Sequence, residues 1–235
     1  MVIGKLGYKN AFTLAEVLIT LGIIGIVAAM TLPTLLNKYN EQVTVTKVKK
    51  FYSTINQALL FAVKNNGTVD VWDYIEKDEE SNSIRSNKLV NYLKPYLKIS
   101  KDCGIEESCI GNALYKDLSN QDRVRYGSSP MYYKLILNDG SFLWVRRNLY
   151  SAESPCSDED GGYKNVCGLM WFDVNGSKQP NVIGKDTFVF VILKDRIMPN
   201  RDNCASLGDN PDKPSELGWG CSRYILQYGN MDYLH

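Results

Sequence analysis

Hydrophobic and polar positions alternate on two different scales along the first seventy residues. From Phe12 to Leu36 the run is almost wholly apolar, and Glu16 is its sole ionisable side chain. These 25 residues, at about 1.5 Å each, make a helix of roughly 37 Å, enough to cross the roughly 30 Å of bilayer hydrocarbon. Past Pro33 the apolar positions fall into steps of four and three. Val48, Tyr52, Ile55, Leu59 and Ala62 form one stripe, with Lys49, Lys50, Ser53, Asn56 and Lys64 around the rest of the circumference. Such a helix packs its stripe on a domain. Asn65-Asn66-Gly67 reads as its left-handed C-terminal cap. The pattern predicts one helix of some fifty residues, with Pro33 removing a backbone hydrogen bond inside it and kinking or loosening it there.

After the cap the period changes. A second helix is expected from about Asn87 to Leu97, with Pro95 near its end. The runs "MYYKLIL" and "SFLWVRR" flank Asn138-Asp139-Gly140, a hairpin signal. "VCGLMWFDV" and "TFVFVIL" add two more runs rich in aromatic and β-branched residues. The expected fold class is α+β: a long N-terminal helix packed on an antiparallel meander of about four strands.

Composition narrows the chemistry. The formal net charge is +1, so no field draws nucleic acid, and no nucleic-acid partner is expected. The single histidine is His235, the last residue, which removes most acid–base and metal designs built on imidazole. No nucleophile with a base, no paired catalytic carboxylates and no phosphate loop stand out, so the chain is not expected to be an enzyme. The six cysteines, Cys103, Cys109, Cys156, Cys167, Cys204 and Cys221, all lie beyond residue 100. Their wide, irregular spacing favours disulfides in an oxidising compartment over zinc ligation. Pairing of neighbours is expected, Cys103 with Cys109, Cys156 with Cys167 and Cys204 with Cys221, because each pair brackets a loop.

Glu16 then needs a reason. A carboxylate in a bilayer costs a few kcal/mol and is by default a functional residue. No basic residue in the span can pair with it, but a cut just before Phe12 would create an α-amine at the membrane face. Solvation at headgroup depth is the plainer alternative. A removable secretory signal fits less well, because the apolar run passes directly into the amphipathic helix.

The stretch "KNAFTLAEVLITLGIIGIVAAMTLP" closely resembles the leader and N-terminal helix of type IV prepilins and type II secretion pseudopilins: a short basic leader, Phe12, Glu16, the apolar run and Pro33. The resemblance covers about the first forty residues. It implies removal of a cytoplasmic leader, residues 1–11, by a prepilin peptidase that cuts between Ala11 and Phe12 and methylates the new terminus. The family usually has Gly where this chain has Ala11, which is still small. Residues 12–36 would be the transmembrane and fibre-core helix, 37–66 its amphipathic second half, and 67–235 the globular head. Glu16 would pair with the Phe12 amine of a neighbouring subunit. The implied partners are other pilin or pseudopilin subunits in a helical polymer, the peptidase, and an inner-membrane platform with its ATPase. The implied location is a single-pass inner-membrane protein with a periplasmic head, entering a periplasmic or extracellular fibre.

The pattern implies no required cofactor. The loop "FDVNGSKQPNVIGKDTF" offers Asp173, Asn175 and Asp186, hard oxygen donors suited to Ca²⁺, with a self-stabilised Asx turn as the alternative. Calcium loops occur in major pseudopilins, so the resemblance lends the cation some support, while the spacing is not that of an EF-hand and favours the Asx turn. "SDEDGG", residues 157–162, is a weaker candidate. The loop between Cys204 and Cys221 resembles in placement the exposed disulfide-bounded loop of type IV pilins, with Trp219 and Tyr224 as candidate contacts, although core filling is the favoured role for Tyr224 in "SRYILQY". Against the fibre subunit stands a second reading, an uncleaved membrane-anchored periplasmic adhesin or receptor.

Overall fold

The computed structural model describes residues 13–72, 82–107, 109–120, 122–147, 156, 158–160, 162–204 and 218–235, of which 82–87, 122–124 and 158–160 are described by backbone alone. Contacts divide the chain into two units, Met1–Gln42 and Val43–His235. Helix α1 (Leu14–Asn66) contributes to both, and it is long and apolar enough to cross a membrane.

In the first unit the apolar side chains of α1 are open. Leu14, Ile24, Met30 and Leu35 are each more than 60% exposed in the isolated chain. Two hydroxyls of the stretch turn back onto the helix, Thr20 Oγ1 donating to Val17 O at 3.0 Å and Thr31 Oγ1 to Val27 O at 2.9 Å. That removes polar groups that hydrocarbon would penalise. The helix continues through Pro33, and its assignment shows no break there.

In the second unit α1 buries Val45, Val48, Phe51, Ile55, Ala58, Leu59 and Ala62. Of the expected stripe Val48, Ile55, Leu59 and Ala62 are buried and Tyr52 is half-buried, and Val45, Phe51 and Ala58 join them. Gly67 ends the helix at φ +79°, and its N–H donates to Val63 O at 2.9 Å. A 3-10 turn (Val69–Val71) follows, then α2 (Asn82–Leu93) and a 3-10 turn at Lys94–Tyr96. The second helix thus starts about five residues earlier than its pattern predicts and gives way to the 3-10 turn at Pro95, which has no N–H to continue the α-helical ladder.

Ten strands follow among the described residues: β1 (Ile99–Gly104), β2 (Tyr115–Lys116), β3 (Asp122–Val124), β4 (Tyr133–Leu137), β5 (Phe142–Arg147), β6 (Asp158–Asp160), β7 (Tyr163–Val166), β8 (Gly168–Asp173), β9 (Thr187–Ile192) and β10 (Ile197–Pro199). The main sheet has the order β1-β4-β5-β8-β9-β10, antiparallel throughout. It is a meander in chain order, with the β2–β3 and β6–β7 ribbons inserted between its strands. The expected hairpin joins β4 and β5, with Ile136 opposite Phe142 and Gly140 at φ +80°. The sheet has six strands where four were expected. The two additions, β1 and β10, are edges, one rich in polar residues and bulged, the other three residues long and ending in Pro199.

Both faces of the sheet are covered. On one side Phe172, Met170, Phe188 and Phe190 pack with the α1 stripe, and Phe51 stacks on Phe172 with ring centroids 3.9 Å apart. On the other, Trp144, Trp171, Val189 and Val191 pack with Tyr115, Tyr126 and Tyr132. Helix α3 (Cys221–Tyr228) closes the second unit against β9 and β10.

Candidate functional site

The N-terminus of α1 is built by a reciprocal cap. The Thr13 N–H and hydroxyl both donate to Glu16 Oε2, at 2.8 and 2.7 Å, and the Glu16 N–H donates back to Thr13 Oγ1 at 3.3 Å. This is a capping box, which satisfies N–H groups that a helix start leaves without partners. Glu16 Oε1 accepts no hydrogen bond among the described residues. The carboxylate is therefore held in place by one oxygen, and its other oxygen is open to a donor from outside. Ala11 and Phe12 lie outside the described residues.

In the head the cysteines pair as expected, Cys103 with Cys109, Cys156 with Cys167 and Cys204 with Cys221. The last pair ties the start of α3 to a loop of which residues 205–217 lie outside the described set. Trp219, at its end, lies edge-on against Trp171 at 5.8 Å. Tyr224 packs in a ring cluster with Tyr228 and Tyr233.

The structure brings Asp173, Asn175 and Asp186 together. Asp173 Oδ1 accepts from the N–H groups of Asn175 and Gly176 at 3.0 and 2.9 Å, and its Oδ2 accepts from the Tyr115 hydroxyl at 2.6 Å. Asp186 Oδ1 accepts from the Val182 N–H at 2.7 Å. Its Oδ2 accepts from the Asn181 N–H at 2.7 Å and from Asn175 Nδ2 at 3.3 Å. Both carboxylates are buried. Burial, followed by the Asp186 charge, pushes the Asp173 carboxyl up to about 7. Burial also raises Asp186, and the Tyr115 hydroxyl is raised by burial and by the facing Asp173 charge. Two amide oxygens nearby, Asn175 Oδ1 and Asn181 Oδ1, are buried without partners. Every Asp173 and Asp186 oxygen already has a donor, so a calcium ion would compete with N–H and O–H groups. Among the described residues no group of three His, Cys, Asp or Glu converges on one point. Of "SDEDGG", Ser157 and Gly161 lie outside the described residues and Asp158–Asp160 forms β6.

Two family descriptions match the chain. The prokaryotic N-terminal methylation motif, the signal of type IV pilins and pseudopilins, matches residues 7–32. The family described as "Family of unknown function (DUF6613)" matches residues 34–231, most of the sequence. The chain belongs to the DUF6613 family. Comparison with the curated proteins and with the solved structures gives no match.

This DUF6613 chain thus joins a pilin-type methylation segment to an α+β head. Two site features escaped the reading of the sequence. Thr13 was available as the T-x-x-E signature of a capping box at residues 13–16. Tyr115 was not, since it reaches Asp173 from a two-residue strand 58 positions away.

Proposed function

We propose that this DUF6613 chain is a structural subunit of a type IV pilus-like or type II secretion pseudopilus fibre. The methylation motif at residues 7–32, on a helix with an exposed apolar surface, carries the reading. A prepilin peptidase cuts between Ala11 and Phe12 and methylates the new amine. A singly methylated amine keeps its positive charge, so it still pairs with a carboxylate. Glu16 of a neighbouring subunit meets that amine through the oxygen its capping box leaves open. Apolar faces around Gly22 and Gly25, where an added Cβ would meet nothing within 4 Å, are where neighbouring helices approach. Before assembly the subunit is a single-pass inner-membrane protein with its disulfide-bearing head in the periplasm, and a membrane platform and its ATPase move it into the fibre.

Calcium at Asp173, Asn175 and Asp186 is a separate proposal that this function does not need. The unpartnered Asn175 and Asn181 oxygens favour a cation, and the donors already on the carboxylates oppose one.

The first test is the N-terminal mass of the chain purified from its native membrane fraction. The expected terminus is Phe12 carrying one methyl group. In the same cells Glu16→Ala should leave that terminus and the folded head intact while cutting incorporation into fibres. An intact Met1 in the presence of active peptidase would overturn the fibre reading in favour of a membrane-anchored adhesin or receptor.

A further inference from the structure

Strand alternation in "MYYKLIL" puts Tyr133 and Leu135 on the α1 side of β4, and Tyr132, Lys134 and Ile136 on the aromatic side. Lys134 is fully buried there, and a lysine is almost never buried unless its ammonium has partners. Its Nζ donates to the carbonyls of Ile105 and Glu106, both at 3.0 Å. Burial pushes the ammonium below the usual lysine range, against the Glu107 charge that raises it. The hydrogen bonds that keep this cation inside are therefore accepted by main-chain oxygens of one short segment.

That segment is closed into a ring. β1 ends at Gly104, which lies opposite Lys134 beside a bulge and has φ +56°. The chain then turns, the Glu106 N–H donating to Cys103 O at 3.1 Å, and Cys109 returns to bond Cys103 six positions back. Both acceptors of Lys134 thus sit inside the loop that this disulfide closes. The loop hangs from an edge strand that pairs only with β4 among the described residues, so it can open without parting the sheet's interior strands.

The three disulfides differ in access. Cys103, Cys156, Cys167, Cys204 and Cys221 are buried, whereas Cys109 is half-buried. Thiol–disulfide exchange requires a thiolate to reach one sulfur, and Cys103–Cys109 is the pair that offers one.

We propose that the Cys103–Cys109 disulfide is a redox latch over a covered amine: a dithiol that opens it frees the Ile105 and Glu106 carbonyls from Lys134 and uncovers Lys134 as a site for acylating electrophiles. One thiolate of the dithiol attacks Cys109 Sγ, and Cys103 leaves as a thiolate. The second thiol of the reductant then displaces Cys109, so the dithiol is oxidised to a disulfide and both cysteines end as thiols. Loss of closure in a ring of this size favours the open loop by about fiftyfold. An ammonium that loses its acceptors does not stay buried, so Lys134 turns to solvent. The inference concerns the second unit alone and does not depend on the fibre reading.

The test takes the full chain in detergent micelles through graded dithiothreitol, blocks free thiols with iodoacetamide and then pulses the amines with N-acetoxysuccinimide. Mass spectrometry of the digest reads both labels. Cys103 and Cys109 should be the first pair alkylated. In those molecules Lys134 should be acylated about fiftyfold faster than in the oxidised chain. Lys101, exposed on the same strand, should keep its rate, and the other four cysteines should stay blocked. Cys103→Ala with Cys109→Ala should give the fast Lys134 rate without reductant while the remaining cysteines stay protected. Earlier reduction of another pair, alkylation of all six cysteines together, an unchanged Lys134 rate after the latch opens, or a Lys134 as reactive as Lys101 in the oxidised chain would each overturn the latch.

Discussion

At Glu16 one carboxylate oxygen takes both Thr13 donors, and the other takes none among the described residues. The same side chain can therefore start its own helix and still receive an amine from outside. Asp173 shows a different use of burial. Its carboxyl is raised from an ordinary 3.8 to about 7, first by loss of solvent and then by Asp186. The folded chain keeps that proton over a range in which the unfolded chain has lost it. The stability this group contributes is full below 3.8 and is lost as pH rises to about 7. Asp70, Asp102 and Asp139 are lowered, so they titrate below that window and do not mask it. The melting temperature, Tm, of the wild-type chain should fall by several degrees across the window, and Asp173→Asn should lessen the decline, leaving the part that the raised Asp186 contributes. Thermal melts at each pH check this. Repeating them with calcium tests the cation proposal, because a calcium-dependent rise in Tm that Asp173→Asn abolishes is its required signature.

Among elements, α1 was the most legible and α2 the least. The α1 stripe recurs over many turns, so apolar spacing and the Gly67 cap define its extent with little ambiguity. α2 is short, and Pro95 marks its end without marking its beginning. The strands β8 and β9 are buried along their whole length, which their unbroken apolar runs already signal. The edges β1 and β10 lack that signal because, among the described residues, their outer sides have no strand to pair with. The joint between helix and sheet is concentrated at Phe51, buried and stacked on Phe172. Phe51→Ala should cost about 3–5 kcal/mol and lower the Tm of the head by roughly 10 °C. Processing at Phe12 should be unchanged, which a melt paired with the N-terminal mass would establish.

The disulfides lie in one unit and most of the exposed large apolar residues in the other. If the head matures in an oxidising space, alkylation of the native chain before reduction should label none of the six cysteines, and alkylation after reduction should label all six. Mass spectrometry of both samples checks this, and labelling before reduction would place the head in a reducing compartment. What could be read without coordinates was local or periodic: the membrane-length helix with its lone acid, the amphipathic stripe, the Asn138-Asp139-Gly140 hairpin and the bracketing of loops by neighbouring cysteines. These are properties of residues close together in the chain, governed by helix pitch, strand alternation and turn chemistry. The tertiary structure alone decided the six-stranded order, the aromatic layer on the sheet's second face and the Tyr115 hydroxyl against Asp173. It also decided that Lys134 is buried against the carbonyls of Ile105 and Glu106. Each of these depends on which distant segments share the limited interior, and packing and desolvation choose among such arrangements only when the whole chain is folded.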